Sequence, residues 1–101
     1  MRPVVWSETA HRDALEVLRY IADDNPAAAE RIVDAIERSG EQLGKVATGR
    51  PGRVAGTYEK SLDRLPYIIA YELRSIAGRE SIVILRIIHT SREWLDEEWP
   101  E

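Results

Sequence analysis

The chain has no cysteine, so neither disulfides nor thiolate-bound metal is open to it. It has no long apolar run either: nothing approaches the ~18–20 residues that cross a bilayer. Its opening, Met1-Arg-Pro-Val-Val-Trp-Ser, turns polar too soon for a secretory signal, so a cytoplasmic location with no membrane partner is expected. A basic excess is also missing, because 18 acidic residues face 14 basic ones for a net charge of −4. Proteins that live by gripping nucleic-acid phosphates carry the opposite balance. Direct, specific DNA binding is therefore not expected, although a local basic patch depends on arrangement rather than on the sum. Histidine is scarce: His11 and His89 are the only two. Neither stands at ligand spacing from another, so neither a metal nor a cofactor is expected.

What is present is the material of one small domain over residues 1–101, with 44% apolar and 32% charged residues. A chain this short must place nearly all its apolar side chains in a single core. The two richest runs are Leu65-Pro-Tyr-Ile-Ile-Ala-Tyr-Glu-Leu and Ile82-Val-Ile-Leu-Arg-Ile-Ile-His. Both are β-branched and suit a pleated surface better than a helix. Between them, Arg74 to Ser81 reads as a polar connector whose Gly78 can take a positive φ. The unit is an expected antiparallel hairpin. Strict alternation puts Tyr67, Ile69, Tyr71 and Leu73 on one face of the first strand, with Ile68 and Ala70 on the other. In the second strand it puts Val83, Leu85 and Ile87 on one face and Ile82, Ile84 and Ile88 on the other. Strands apolar on both faces belong at the centre of a sheet covered on both sides. One charge, Arg86, interrupts the second strand, and His89 closes it.

Upstream, Arg2 to Trp6 reads as a short edge strand. Ser7 offers an N-cap and Glu8 suits the helix dipole. Ala10, Ala14, Val17, Leu18 and Ile21 trace one helical face ending near Ala22. After Asp23-Asp24, Asn25 caps a second helix with Pro26 at its first position. That helix turns Ala29, Ile32, Val33, Ile36 and Leu43 inward, and Gly40 is expected to fray or bend it at about 1 kcal/mol relative to alanine. Thr48 to Gly56 holds three glycines, a proline and two arginines and reads as a loop. Val54 to Ser61 then reads as a further strand. The expected architecture is α+β: an N-terminal strand, then a helical hairpin packed on a mainly antiparallel sheet, in the order β-α-α-β-β-β, with a short C-terminal helix or tail. Asp96 to Glu101 is most simply a solvated tail.

Chemistry-bearing groups gather at one strand end: His89, Arg92 and Trp94, with Tyr58 or Glu59 on the neighbouring strand. Histidine trades protons near neutral pH and arginine holds a phosphate or oxyanion. The plainer alternative is that His89 caps a sheet end, Arg92 pairs with acids and Trp94 fills the core edge. Arg50-Pro-Gly-Arg53 lacks the lysine and hydroxyl of a phosphate-binding P-loop and reads more simply as a basic turn.

Taken in order, several blocks resemble those of ParE-type toxins in the RelE/ParE superfamily of bacterial toxin–antitoxin modules. They are Trp6-Ser7 with Ala10; Tyr20-Ile21-Ala22 followed by Asp24-Asn25-Pro26-Ala-Ala-Ala29; and Gly49-Arg-Pro-Gly-Arg-Val54. Leu65-Pro-Tyr-Ile-Ile-Ala-Tyr71 follows, then Ile84-Leu-Arg-Ile-Ile-His89 with Arg92 and Trp94. The resemblance implies a helical hairpin on an antiparallel sheet and a toxin silenced in a hetero-oligomer with a ParD-like antitoxin. ParE-like members block DNA gyrase or a related type II topoisomerase without chemistry of their own. RelE-like members cut messenger RNA on the ribosome with basic residues on the central strands. Here the middle strand reads Tyr58-Glu-Lys-Ser-Leu62, and the expected arginine after Tyr67 is Ile68. The gyrase-inhibitor reading is therefore preferred, with no catalytic residues. Its target-facing candidates are Arg50, Arg53, Tyr58, His89, Arg92 and Trp94, and its antitoxin-facing candidates are Leu15, Leu18, Ile32 and Ile36. The alternative, a ribosome-dependent endoribonuclease, would rest on His89, Arg92 and Glu59.

Overall fold

A computed structural model describes residues 1–90 of the chain. Its elements are β1 (Val4–Trp6), α1 (Glu8–Ala22), α2 (Pro26–Gln42), β2 (Arg50–Pro51), β3 (Tyr58–Ser61), β4 (Tyr67–Ile76) and β5 (Arg79–His89). The strands form one sheet in the order β1-β5-β4-β3-β2. β1 runs parallel to β5, and every other pairing is antiparallel. The expected α+β architecture is therefore present, with one strand more than the sequence suggested. The loop after α2 contributes the two-residue β2, which pairs Arg50 with Glu59 and Pro51 with Tyr58. The expected C-terminal helix or tail, and with it Arg92 and Trp94, lies outside the described residues.

Local signals place both helices. The Ser7 hydroxyl accepts a bond from the Ala10 N–H, and the Asn25 side chain accepts one from Ala28, each filling an orphan donor at a helix start. Pro26 follows Asn25 directly as the first helical residue. The helices cover one face of the sheet, where Ala10, Ile36 and Leu43 pack with Tyr67, Ile69, Tyr71, Ile82, Ile84 and Ile87. On the other face Ile68, Ala70 and Ile88 form a second buried cluster.

Strict alternation fails once, in β5. The pairing steps from Ala70–Arg86 to Tyr71–Ile84 and leaves Leu85 without a partner on β4. This β-bulge shifts the two-residue period by one place. Ile87 accordingly joins Ile82 and Ile84 on the helix side, not Val83 and Leu85 as expected, and Ile88 goes to the opposite cluster. The connector expected from Arg74 to Ser81 is also shorter than its polarity implied. The ladder continues to Ile76–Arg79, and only Ala77 and Gly78 turn the chain, at φ of 51° and 77°. Two successive positive φ values match the twist of the flanking strands.

Gly40 neither frays nor bends α2, which runs on to Gln42. A β-carbon there would lie 2.5 Å from Trp6 Cζ2 and 2.8 Å from Ile84 Cδ1. The glycine is thus the groove in which β1 and β5 approach the helix. Gly40→Ala gains about 1 kcal/mol of helix propensity but overpacks a rigid ring at a typical cost of about 1–3 kcal/mol. Urea denaturation should show a net loss of stability, opposite to the gain that an exposed helical glycine would give.

Candidate functional site

The most heavily bonded polar centre lies where β1 ends and α1 begins. β1 accompanies β5 only as far as Ile84, and beyond that point side chains take over the exposed strand edge. The Ser7 N–H donates to the Ile84 carbonyl at 3.0 Å, and the Ser7 hydroxyl donates to the Leu85 carbonyl at 3.1 Å. Asp13, buried on α1, then accepts the Ile87 N–H at 2.9 Å. The same carboxylate takes a two-pronged bond from Arg86, Nε to Oδ2 at 3.0 Å and Nη2 to Oδ1 at 2.9 Å. The Arg86 side chain and the Ile87 N–H thus meet on one acid immediately after the bulge at Leu85. Neither partner is free for chemistry: each serves as the other's counter-ion.

Beside it opens a cleft of about 350 Å³ lined by Asp13, Glu16, Val17, Tyr20, Tyr67, Ile87 and His89. His89 meets Tyr67 edge-on, with ring centroids 5.3 Å apart. Burial and, secondarily, the neighbouring Tyr20 push the Tyr67 phenol above its ordinary value, so it stays protonated. Tyr20 is 79% exposed.

The second polar cluster sits at the opposite end of the sheet order. Glu59 is buried on β3 and accepts three bonds from Arg53: from its backbone N–H at 2.8 Å, from Nε at 2.9 Å and from Nη2 at 3.2 Å. Arg50 stands 3.6 Å away and also donates to the Ser61 hydroxyl. Burial alone would raise the Glu59 carboxyl, but the bonds and charge of Arg53, with the charge of Arg50, hold it below its ordinary value of 4.5. The two arginines therefore close the loop before β3 instead of cradling an outside anion. Tyr58 stacks on Tyr71 at 5.6 Å, and the Tyr71 hydroxyl donates to the Thr48 carbonyl at 2.6 Å.

The sequence-level candidates are thus divided. Glu59 stands opposite Ala70, a member of the cluster away from the helices. His89 stands opposite Tyr67, a member of the helix-side core. The sheet lies between them, so Glu59 and His89, both named for the ribonuclease alternative, are not brought together. Arg92 and Trp94 lie outside the described residues. Among the antitoxin-facing candidates, Leu15 is 48% exposed, whereas Ile36 is fully buried. Ile36 therefore offers no contact, since its slot on α2 is the one that meets the sheet, and Ile32 packs partly against the same core. Leu18 is half-buried. Asp13, Glu16 and Tyr20, which line the cleft, are absent from the sequence-level site candidates. Among the described residues there is no group of three acids or histidines able to hold a metal.

Residues 4–94 match the family model described as the ParE toxin of the type II toxin–antitoxin system parDE. The chain is 36% identical over 90 residues to a protein of Sinorhizobium fredii (strain NBRC 101917 / NGR234) named "Putative toxin Y4kP", with 88% of each chain covered. Its fold resembles a chain of the chromosomal ParDE toxin–antitoxin system from P. aeruginosa, with a TM-score of 0.77 and 27% identity, covering 88% of this chain and 96% of that one. A chain of the RelBE2 toxin–antitoxin complex from Mycobacterium tuberculosis is similar at a TM-score of 0.61 and 26% identity, covering 87% of this chain and 96% of that one.

Asp13→Ala removes the partner of a buried guanidinium and an N–H acceptor together, so its unfolding free energy should fall by about 3 kcal/mol. Asp13→Asn, which keeps an acceptor for Ile87, should lose less in the same denaturant titration. For Glu59, the carboxyl is depressed on folding, so its stabilisation is complete above the unfolded value near 4.5 and is lost as pH falls through the lower folded value. The stability gap between wild type and Glu59→Gln should therefore be widest near neutral pH and close in acid, as read from urea midpoints across that range.

Proposed function

The chain belongs to the ParE toxin family of type II toxin–antitoxin systems, and we propose that it acts by binding and inhibiting DNA gyrase or a related type II topoisomerase. The separation of Glu59 from His89 by the sheet carries this reading. A general acid and base must both reach the reacting atoms, and these two open onto different faces. Phosphodiester cleavage also needs cations aimed at the charge that develops on phosphate. The guanidinium groups of Arg53 and Arg86 are directed instead onto Glu59 and Asp13. A toxin so arranged acts by occupying a surface of its target. Arg50, Tyr58 and His89, with Arg92 and Trp94, remain the candidates for that contact.

In this reading a ParD-like antitoxin neutralises the toxin in a hetero-oligomer formed in the cytoplasm. Exposed apolar groups on α1, Leu15 and Tyr20 above all, supply its anchors. That two similar folds come from toxin–antitoxin complexes supports such a partner. The likeness to the RelBE2 complex keeps a second reading in view, in which the chain is a ribosome-dependent endoribonuclease.

Expression without antitoxin separates the two. Thymidine and methionine incorporation followed over the first minutes should show DNA synthesis falling while protein synthesis continues, and purified gyrase should then be inhibited directly. An earlier fall in protein synthesis, abolished by His89→Ala in a folded variant, would establish the ribonuclease instead.

A further inference from the structure

We propose that the cleft between the second half of α1 and the end of β5 seats an arginine or lysine side chain of the cognate antitoxin. The inference rests on the antitoxin reading above and names the chemistry of one contact within it. Four observations lead to it. First, the cleft is acidic: Asp13 and Glu16 line it, and no lysine or arginine does. Asp13 is matched by Arg86, whereas exposed Glu16 has no ion pair among the described residues, so one negative charge is left over at the mouth. Second, the walls are aromatic. Tyr67 and Tyr20 both line it, and Tyr20 stands 79% exposed at the rim; tyrosine rings are among the groups that attract a cation. Third, Tyr20 lies in the last turn of α1, the negative end of the helix dipole. Arg19 answers that charge in part from the same turn, but it does not line the cleft. Fourth, Val17 and Ile87 offer apolar walls for the methylene stem of a long basic side chain.

Its size and chemistry suit one side chain better than a free ligand. A cleft of about 350 Å³ holds a guanidinium or ammonium with its stem, but lacks the enclosure that holds a small molecule alone. An antitoxin supplies that side chain from a larger interface, to which exposed Leu15 on the same helix also contributes.

A different hollow has basic walls but a poor setting for an anion. Lys45, Lys60, Ser39 and Thr48 line a space beside the end of α2, where the helix carbonyl end opposes an anion.

The test is calorimetric titration of the purified toxin with the antitoxin encoded beside its gene, at low and high salt. Glu16→Gln, Glu16→Lys and Tyr20→Ala are compared with wild type; both positions are exposed, so the fold should persist. Tyr20→Ala should weaken binding about 3- to 30-fold, Glu16→Gln by about 3-fold and Glu16→Lys by about 10-fold or more. Reversing one basic antitoxin residue to glutamate should restore the Glu16→Lys complex. Wild-type binding with all three variants unaffected overturns the inference and leaves the antitoxin reading standing. A loss with Tyr20→Ala alone, insensitive to salt and to Glu16→Lys, overturns the cationic occupant in favour of an apolar one. No binding by wild type overturns both readings together.

Discussion

The carboxylate of Asp13 is the contact on which this architecture turns. A strand edge beside a helix is a row of unsatisfied donors and acceptors, and β1 is too short to cover all of it. Asp13 finishes what β1 begins, taking the Ile87 N–H and the Arg86 guanidinium at once. With Ser7, which caps α1 and bonds to the Ile84 and Leu85 carbonyls, it fixes the start of α1 against the middle of β5. Buried ion pairs are weak sources of net stability, because desolvation offsets most of their attraction. Their better-attested use is to specify a register. Here the pair joins α1 to the bulged stretch of β5, just where Ile87 and Ile88 take the faces opposite to those of strict alternation.

That bulge also marks where the sequence stopped being legible. Helix starts and the order of elements could be read because their signals are local: Ser7, Asn25 and Pro26 act on their own neighbours. The split of β4 into Tyr67, Ile69 and Tyr71 against Ile68 and Ala70 was legible for the same reason. β5 was not, because one inserted residue reverses the phase of everything after it, and nothing apolar in Ile84-Leu-Arg-Ile-Ile announces an insertion. There was nonetheless a trace. Asp13 falls three residues after Ala10 and four before Val17 on a stripe that is otherwise apolar, and Arg86 interrupts an otherwise apolar strand. Two opposite charges, each at a position meant for the core, are each other's natural partner. That pairing would have located both the bulge and the α1–β5 contact.

The candidate site was harder still. Arg50, Arg53 and Glu59 stood out as charged groups near a glycine-rich turn, and spacing cannot tell an arginine aimed at a ligand from one aimed at its own chain. The fold decides this, because a carboxylate buried on β3 demands a counter-ion and the loop before it supplies one. Ile36, expected to face an antitoxin, is fully buried, and the reason is similar. Periodicity says which residues share a helical face but not whether that face meets the sheet or a partner. Gly40 shows the converse: a residue unfavourable to an isolated helix is required where Trp6 and Ile84 press against it.

These assignments bear on what a small toxin of this fold can do. With one core to build and few apolar residues beyond it, the chain uses its buried charged groups to hold loops and edges in place. Asp13, Arg86, Glu59 and Arg53 are all committed in this way, and a group held as a structural counter-ion is poorly placed to follow a substrate. What remains for partners is exposed and mostly not catalytic in kind: Leu15 and Tyr20 on α1, Tyr58 on β3, and Leu73 and Ile76 on the outer part of the β4–β5 hairpin. Aromatic and aliphatic groups on rigid elements are the usual anchors of protein interfaces. In the reading proposed above the molecule acts by occupying surfaces, and the acidic, tyrosine-lined cleft beside Asp13 combines such ring surface with the charge of Glu16.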